Sequence, residues 1–600
     1  MFVKSNVNRD LLVKSFRLLS PNGRRRYFFS VAFQVLLTFL DLFAILMLAL
    51  LGNLIVSLND ESKSGPLNRI LIVLNLNNSD VQKQLLAVGT ITLLFFILRS
   101  VLSARLVKYF FDFLADEASK LSTKLIGNYM KHDFSSMRKA KESSTIHALT
   151  GSIDSWAFNL LGSFSTILSE SILVIGVSIG LLIYEPFLSL VCISYFSLLV
   201  VCIHFITNRY LRTYGEDLTA ESLKSYELIS NILHGFRDIH TKNRTNFFLK
   251  QVLKSRSGKL EAQATISFLP NVGKYILEIG LVLGVLLVFL LNLNSLNNDL
   301  LIKIVIVFFV VSSRLTPSLM RIQQNFFNLN SSAPSTSHAI TLWESRNWVE
   351  SADKDFESKE IDFSHKEFRG KIELSHLSFN FEDEKSLITN MSFCIQNPSM
   401  IALIGQSGIG KSTLIDCILG LLEPNNGSVL INGLTPRIAI NKWPGAIGYL
   451  PQQVPIFDGT IEQNLCFGFS DDEIPENFKS LALSISGLGS LLKLKNYNLS
   501  TKLGHDGIQL SGGQKQKLGL ARALITAPKI LIADEPTNAL DPKSKKEICD
   551  SLKKLSSNSL VLVVTHESML IDHCDKVIVM KPDGGYIVEN PKNLKEEVNY

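Results

Sequence analysis

The sequence has few cysteines, and none of them forms a C-x-x-C pair. Seven cysteines are scattered over 600 residues. This spacing indicates neither a zinc site nor a disulfide framework. We therefore expect buried, reduced thiols at these positions: Cys192, Cys202, Cys394, Cys417, Cys466, Cys549 and Cys574.

The first 26 residues lack the pattern of a cleaved signal. Their start is charged, but no small-residue cleavage site follows a short apolar core. We therefore expect this segment to be retained in the protein. Two alternatives stay open for it, an elbow helix at the membrane interface and a plain charged tail.

Long apolar runs are abundant in the first half of the chain. A hydrophobic fraction of 46% is high for a soluble enzyme, and 600 residues are too many for a single core. Six runs reach the length of a bilayer-spanning helix. They lie near 27–57, 85–104, 160–183, 187–206, 276–294 and 300–320. The sequence therefore predicts an α-helical membrane domain of six transmembrane helices.

Basic residues are concentrated on one side of this predicted bundle. The tight loops YEPF and LNSLNND carry no Lys or Arg, whereas the N-terminal segment and the connections 105–158 and 207–274 carry many. The positive-inside rule then predicts a multi-pass protein of the cell membrane with both termini cytoplasmic. The net charge of +6 reflects this topology, so we predict no nucleic-acid partner.

The composition changes after residue 330. Residues 331–370 are polar and charged and have no helical apolar period, which is typical of a linker. From residue 371, short apolar runs alternate with helical segments, as in a mostly parallel α/β sheet. The predicted domains are a transmembrane domain at 1–330, a linker at 331–370 and an α/β domain at 371–600.

A phosphate-binding loop opens the chemistry of the second domain. The strand-like run MIALI leads into GQSGIGKST, and a helix-compatible segment follows, which is the setting that the GxxxxGK[ST] pattern requires. Backbone N–H groups of such a loop wrap the β-phosphate, Lys411 reaches the β and γ oxygens, and the Ser412 hydroxyl binds Mg²⁺. The predicted nucleotide-binding residues here are Gly405, Ser407, Gly408, Gly410, Lys411, Ser412 and Thr413.

Two carboxylates end a later apolar strand, KILIADEP. Ligands bind at the carboxyl ends of strands in such sheets, so we expect Asp534 to hold Mg²⁺ and Glu535 to polarise the water that attacks the γ-phosphate. His566 follows the strand LVLVVT, and we expect it to hydrogen-bond the γ-phosphate. The predicted catalytic residues are therefore Glu535 and His566.

A second anion-binding turn, LSGGQ, begins at Leu510. A single nucleotide needs only one phosphate-binding loop, which the P-loop already provides. Together with the P-loop, these motifs resemble the ATP-binding cassette (ABC) family, so the resemblance implies an α/β P-loop ABC nucleotide-binding domain that uses ATP and Mg²⁺. In that family, the turn binds the γ-phosphate of ATP held by a partner domain, which implies a homodimer with two shared sites. The residues of the turn are Ser511, Gly512, Gly513 and Gln514.

The resemblance assigns further residues. Gln452 matches the glutamine that binds Mg²⁺ and water, although Gln453 is adjacent. Asp541 ends a segment resembling the D-loop, and Phe381 stands where the family has a tyrosine that stacks on adenine. His505 replaces an acidic residue common in exporters, which puts the usual contact to the coupling helices in doubt.

Six helices ahead of one cassette resemble an exporter half-transporter. The stretches 132–156 and 227–252 look like its two coupling regions. Arg314 and Arg321 share one face of the sixth helix, and Arg99 of the second helix is a candidate to join them. We expect these residues to contact substrate, because arginine suits phosphate, or else to pair within the bundle.

The stretches RLTPSLMRI and GFRDIHTKNR resemble lipid-linked oligosaccharide flippases, so the leading hypothesis is an ATP-driven flippase for a lipid-linked glycan or a similar lipid. The alternatives are a peptide or multidrug exporter and, less favoured, an ATP-gated channel or regulator, in which we would expect a damaged catalytic residue. The segment 58–84 is either an external surface helix or a loop packed on the helix ends.

Overall fold

The computed structural model describes residues 2–56, 81–132, 141–184, 186–292, 298–344, 360–381, 387–470, 472–494, 497–504, 510–538 and 540–592. It divides into two compact units, called here the helical unit and the α/β unit, with the division after residue 352. The predicted segment 58–84 lies almost wholly outside the described residues, and His505 also lies outside them.

The helical unit consists of long helices joined by short elements. Its helices are α1 (Phe2–Leu18), α2 (Pro21–Val56), α3 (Val81–His132), α4 (Glu142–Leu149), α5 (Gly151–Asp154), a π-helix (Ser155–Leu161), α6 (Gly162–Tyr184), α7 (Pro186–His234), α8 (Phe236–Thr241), α9 (Thr245–Asn292) and α10 (Asn298–Glu344). The short helices α4 and α8 lie within the two predicted coupling regions.

Six of these helices coincide with the six predicted apolar runs: α2, α3, α6, α7, α9 and α10. Helix α3 has 52 residues, which at 1.5 Å per residue is about 78 Å. The hydrocarbon core of a bilayer is only about 30 Å thick. Such a helix therefore extends well beyond a bilayer, which the apolar runs alone did not indicate.

Three stretches of the described residues are long and apolar enough to cross a membrane, namely Leu86–Met130, Glu142–Gly180 and Thr245–Gly284. The shorter apolar helix Ile193–Thr207 lies within α7. The apolar ends of α2 and α10 contain residues 44–56 and 298–314, whose side chains are outside the described part.

The N-terminal segment is a helix that packs into the bundle. Trp156 is completely buried, and its Nε1 donates to the backbone oxygen of Ser15 in α1 at 3.1 Å. Tyr27 of α2 donates its hydroxyl to the backbone oxygen of Leu161 at 2.9 Å. Of the two alternatives for the first 26 residues, the structure therefore contains the helix.

Helix α10 continues past residue 330, so the first part of the predicted linker is helical. Its buried side chains are Ser332, Ser335, Thr336, Ala339 and Ile340, at helical spacing. The hydroxyl of Thr336 donates to the backbone oxygen of Ser332 at 3.0 Å, which satisfies a buried polar group inside the helix. Small hydroxyl residues occupy most of these buried positions, so the spacing of apolar residues did not predict that the helix continues here.

The α/β unit contains two sheets. Its strands are β1 (Lys371–Phe379), β2 (Ile388–Gln396), β3 (Ser399–Ile404), β4 (Asn426–Ile431), β5 (Ile447–Leu450), β6 (Ile530–Asp534), β7 (Leu560–Val564), β8 (Lys576–Met580) and β9 (Tyr586–Glu589). The small sheet has the antiparallel order β2-β1-β4, and the large sheet has the order β5-β6-β7-β3-β8-β9.

The helices of this unit are α11 (Lys411–Ile418), α12 (Pro436–Lys442), α13 (Ile461–Leu465), α14 (Glu476–Ile485), α15 (Leu488–Leu494), α16 (Gly512–Leu524), α17 (Pro542–Leu555) and α18 (Ser568–Asp572). Every residue of β6 and β7 is buried, because both faces of a parallel sheet are covered. The large sheet is parallel except for β9, which runs antiparallel to β8. The predicted α/β class is confirmed.

Candidate functional site

Three neighbouring parallel strands bring the predicted site residues to one edge of the large sheet. Val564 of β7 pairs with Asp534 of β6 on one side and with Leu403 of β3 on the other. The P-loop follows β3, Glu535 follows β6 and His566 follows β7. The P-loop, more than a hundred residues earlier in the chain, therefore lies beside the segments of Glu535 and His566, because the strands run parallel.

The P-loop turns sharply between β3 and α11. Gly408 and Gly410 have φ values of 81° and 107°, a region that side chains other than glycine rarely adopt. The Nζ of Lys411 donates to the backbone oxygens of Gly405 and Gln406, at 2.6 and 2.9 Å. Ser407 and Ser412 are exposed, whereas Thr413 is buried. The loop therefore exposes residues 406–408 and Ser412 to solvent.

Lys411 and Asp534 are both buried charged groups. Burial lowers the pKa of Lys411, although the nearby carboxylates Glu535 and Asp534 act in the opposite direction. Burial also raises the pKa of Asp534, with a further rise from Glu535 and a partial offset from Lys411. The surroundings therefore disfavour the charged form of both groups.

Glu535 lies at the centre of a polar cluster. It has a φ of 48°, which is uncommon for a residue other than glycine. Its Oε2 accepts from Gln452 Nε2 at 2.7 Å and from Asn538 Nδ2 at 3.0 Å. His566 Nε2 lies 3.9 Å from Glu535 Oε1. The cluster joins two predicted catalytic residues and one predicted metal ligand.

Sequence reasoning did not identify two contacts of Glu535. Asn538 begins the D-loop-like segment that ends at Asp541, yet its side-chain amide donates to the Glu535 carboxylate, and its backbone N–H donates to the Glu535 backbone oxygen at 3.1 Å. Gln516 of α16 donates to the same backbone oxygen at 3.4 Å. The three-residue spacing could have indicated the first contact, but nothing in the sequence indicated the second.

The LSGGQ turn caps helix α16. The backbone N–H of Ser511 donates to Gln514 Oε1, within the same turn, at 3.0 Å. A Cβ at Gly513 would lie 2.8 Å from Leu540 Cδ2, so a larger residue there would require the Leu540 side chain to shift. Within the described residues, no hydrogen bond or ion pair joins Ser511–Gln514 to residues 405–413 of the same chain.

Two residues assigned by resemblance have structural contacts of their own. Asp541 is the N-cap of α17 and accepts from the backbone N–H of Ser544 at 3.1 Å. Hydrogen bonds from Ser544 lower the pKa of Asp541. Phe381 packs edge-on against Phe379, with ring centroids 5.1 Å apart. These contacts do not involve nucleotide binding, so both binding roles stay predictions.

Of the three arginines that we expected to contact substrate, two form ion pairs inside the helical unit. Arg99 pairs with Asp41 of α2. Arg321 pairs with Glu170 of α6, with Nε–Oε1 and Nη2–Oε2 distances of 2.5 and 3.1 Å. Arg321 is 52% exposed and Glu170 is 15% exposed. The side chain of Arg314 is outside the described part.

Sequence comparisons agree with this site. Residues 388–538 match the sequence model of the ABC transporter family. A Rickettsia prowazekii protein, whose name describes an export ATP-binding/permease protein, is 27% identical over 508 residues, which is 80% of this chain and 82% of that protein. An ATP-dependent lipid A-core flippase of Hahella chejuensis is 34% identical over 239 residues, 40% of each chain.

Coverage differs between these relatives. The match to a similarly named protein of Rickettsia conorii, at 35% identity, spans 37% of this chain and only 38% of that protein. The higher identities are therefore found over the shorter matches.

A solved structure extends the likeness to the whole chain. The structure of a bacterial Atm1-family ABC exporter with ATP bound superposes with a TM-score of 0.74 and covers 97% of this chain and 98% of its own, at 17% identity. At this identity the likeness concerns the fold alone. Residues 388–538 therefore form a domain that matches the ABC transporter family, and the chain as a whole has the fold of an ABC exporter.

Proposed function

We propose that this chain is an ATP-driven exporter that moves an amphipathic lipid across a cell membrane. The observation that carries the proposal is the convergence of Lys411, Asp534, Glu535 and His566 at one sheet edge, after three strands paired in register. The exporter fold of the helical unit supports a transport role for the energy released there.

Hydrolysis at this edge requires a base and a cation. Glu535 takes a proton from water, the water oxygen attacks the γ-phosphorus, and the bond to the β–γ bridging oxygen breaks, so that ADP and phosphate are released. Lys411 stabilises charge on the β and γ oxygens, and His566 hydrogen-bonds the γ-phosphate. Both bind phosphate through N–H donors, whereas Glu535 acts on the water.

The donor set fits Mg²⁺. Asp534 is a buried carboxylate whose pKa is raised by burial, so its ionised form lacks the compensation that a divalent cation provides. Ser412 offers an exposed hydroxyl, and Gln452 retains its Oε1 while Nε2 binds Glu535. We propose these three residues as the Mg²⁺ ligands. When bound, the ion neutralises charge on the phosphate oxygens.

A second copy of the chain completes each ATP site. The signature turn Ser511–Gln514 has no described contact with the P-loop of its own chain, although its glycines and helix N-terminus suit phosphate. A symmetric homodimer brings each turn to the nucleotide of its partner. On this proposal, each dimer has two equivalent sites, and both termini of each chain are cytoplasmic.

The domain boundaries follow partly from the helices. We propose that the membrane domain extends through α10 to Glu344, and that the connection to the ATPase domain begins after it and ends before β1. This shortens the predicted linker at its start and keeps its end at residue 370.

The cargo proposal is supported by one cleft and by two relatives. A cleft of about 250 Å³ is lined by Asn271, Lys274, Arg321 and Gln324, among others, from α9 and α10. Its cations and amides suit a phosphate-bearing head group. The lipid A-core flippases of Hahella chejuensis and Burkholderia pseudomallei, 34% and 33% identical over partial matches, act on lipids by name. We propose a lipid-linked oligosaccharide or a similar anionic lipid.

The test compares the wild type with Glu535→Gln in nanodiscs and proteoliposomes. We expect the variant to bind ATP and to lose hydrolysis by about 10²–10⁴, the range of general-base catalysis. We also expect a polyprenyl-pyrophosphate-linked glycan to stimulate wild-type hydrolysis and to be translocated. Retained hydrolysis in the variant contradicts the role of Glu535. Stimulation by peptides or drugs, without lipid translocation, would favour the alternative exporter.

A further inference from the structure

We propose that Asn538 is a positioning residue for Glu535, which holds one oxygen of the carboxylate and leaves the other to receive the proton from water. The inference rests on the proposed role of Glu535 as the general base. The resemblance of residues 538–541 to the D-loop assigns a binding role to Asp541 and none to Asn538.

The contacts divide the two carboxylate oxygens of Glu535. Oε2 accepts from two amides that come from different segments, Asn538 Nδ2 at 3.0 Å and Gln452 Nε2 at 2.7 Å. Oε1 faces His566 Nε2 at 3.9 Å, beyond hydrogen-bond distance. One oxygen is therefore held, and the other is the one available to a water molecule.

Local backbone bonds fix Asn538 where it can act. Its N–H donates to the backbone oxygen of Glu535 at 3.1 Å, and the N–H of Glu535 donates to the backbone oxygen of Val564 at 2.9 Å. The Glu535 side chain is 24% exposed and has three rotatable bonds, so it has room to turn away. The Asn538 amide, held in place by its backbone hydrogen bond, restricts that freedom without adding a charge.

A packing role and a donor role predict different results for substitutions. Aspartate has nearly the shape of asparagine, so Asn538→Asp preserves packing but replaces the N–H donor with an anion beside Glu535. Asn538→Ala loses both packing and donor, and Asn538→Ser keeps a hydroxyl donor on a shorter side chain. The order of activities therefore separates the two roles.

The experiment measures kcat and KM for ATP in nanodiscs, with ATP affinity and melting temperature measured for each variant. We expect kcat to fall by at least about tenfold in Asn538→Ala, the lower end of what a hydrogen bond to a charged group provides. Asn538→Ser should fall less, and Asn538→Asp should fall further than the alanine variant, because like charges repel. KM for ATP should stay within twofold of the wild type.

Asn498→Asp is the matched control. Asn498 lies in the same unit, and its Oδ1 accepts from the hydroxyls of Ser500 and Thr501, so aspartate keeps these contacts. Its kcat should equal that of the wild type, which shows that an added negative charge alone does not lower activity.

Several outcomes would overturn the inference. An aspartate variant more active than the alanine variant indicates packing alone. A rise in KM with unchanged kcat indicates a contact to nucleotide, and unchanged activity in all three variants excludes any role. Hydrolysis retained in Glu535→Gln contradicts the proposed base instead, so the two failures are distinguishable.

Discussion

The charged groups of the α/β unit and those of the helical unit are arranged in opposite ways. In the helical unit, Arg99 and Arg321 each contact a carboxylate of a neighbouring helix. In the α/β unit, Lys411 binds backbone oxygens, and burial shifts the pKa of Lys411 down and that of Asp534 up. The arginines of the helical unit are therefore paired with carboxylates, whereas the charges of Lys411 and Asp534 are only partly compensated.

This difference indicates where a charged ligand contributes most. Burial disfavours the charged forms of Lys411 and Asp534, so a phosphate near Lys411 and a cation near Asp534 offset part of the cost of burial. An anionic cargo at Arg321 must instead compete with Glu170, which already forms a two-bond pair. We therefore expect tight nucleotide binding and weaker, exchangeable cargo binding.

The largest expected effect is at Lys411, whose positive charge is only partly compensated in the folded chain. Lys411→Met removes the charge that stabilises the phosphate oxygens, and we expect ATP hydrolysis to fall by on the order of 10²–10³. ATP binding should weaken as well, measured by titration with a fluorescent nucleotide. Lys502→Met, at a position outside the P-loop, is the control. Full activity of Lys411→Met would contradict the proposal that the charge of Lys411 stabilises the phosphate oxygens.

The next effect concerns the pair between α2 and α3. Asp41→Asn leaves Arg99 without its anionic partner, and an unpaired charge inside a membrane bundle costs about 2–3 kcal/mol. We expect a lower melting temperature in detergent with unchanged ATP affinity of the folded protein. Replacing both partners, with Arg99→Met added, should recover much of the loss. A double variant as unstable as the single one would show that the pair contributes by shape rather than by charge.

A smaller effect follows from the raised pKa of Asp534. The folded protein binds this proton more tightly than the unfolded chain, so stability falls as pH rises from the usual aspartate value of about 3.9 through the raised pKa. Without nucleotide or Mg²⁺, Asp534→Asn should therefore melt at a higher temperature than the wild type at neutral pH, and this gain should vanish in acid. Melting curves from pH 4 to 7.5 measure it, and a pH-independent gain would indicate packing instead.

The smallest effect is expected at the more exposed pair. Because Arg321 is 52% exposed, Glu170→Gln should change the free energy of unfolding by no more than about 1 kcal/mol. It should nevertheless strengthen stimulation of ATP hydrolysis by an anionic lipid, since the competing carboxylate is neutralised. Arg321→Gln should weaken that stimulation and leave basal hydrolysis unchanged. Equal stimulation in both variants would exclude a cargo contact at Arg321.

Much of the fold was predictable because its signals are local. The apolar runs ending at Ile404, Asp534 and Val564 became β3, β6 and β7, and the P-loop lies between a strand and a helix as expected. The six apolar runs also coincide with long helices. The helical end of α10 was not predicted, because Ser332, Ser335 and Thr336 form its buried stripe and an apolar period does not register hydroxyls.

The candidate site was predictable only in part. Strand ends gave Asp534, Glu535 and His566, but the sequence could not decide between Gln452 and Gln453 or connect Asn538 and Gln516 to Glu535. Those contacts depend on where loops return in space. The carboxylates facing Arg99 and Arg321 also went unidentified, because Asp41 and Glu170 are distant in sequence and each belongs to another helix.

The sequence by itself determined the chemistry of this protein: a phosphate loop, two strand-end carboxylates, a signature turn and helices long enough for a membrane. Each of these is a short pattern of neighbouring residues, so it can be recognised without the tertiary structure. Only the tertiary structure decided which charged side chains have a partner of opposite charge, because those partners come from segments that are distant in sequence. Burial disfavours the charged forms of Lys411 and Asp534, whereas carboxylates of neighbouring helices pair with Arg99 and Arg321.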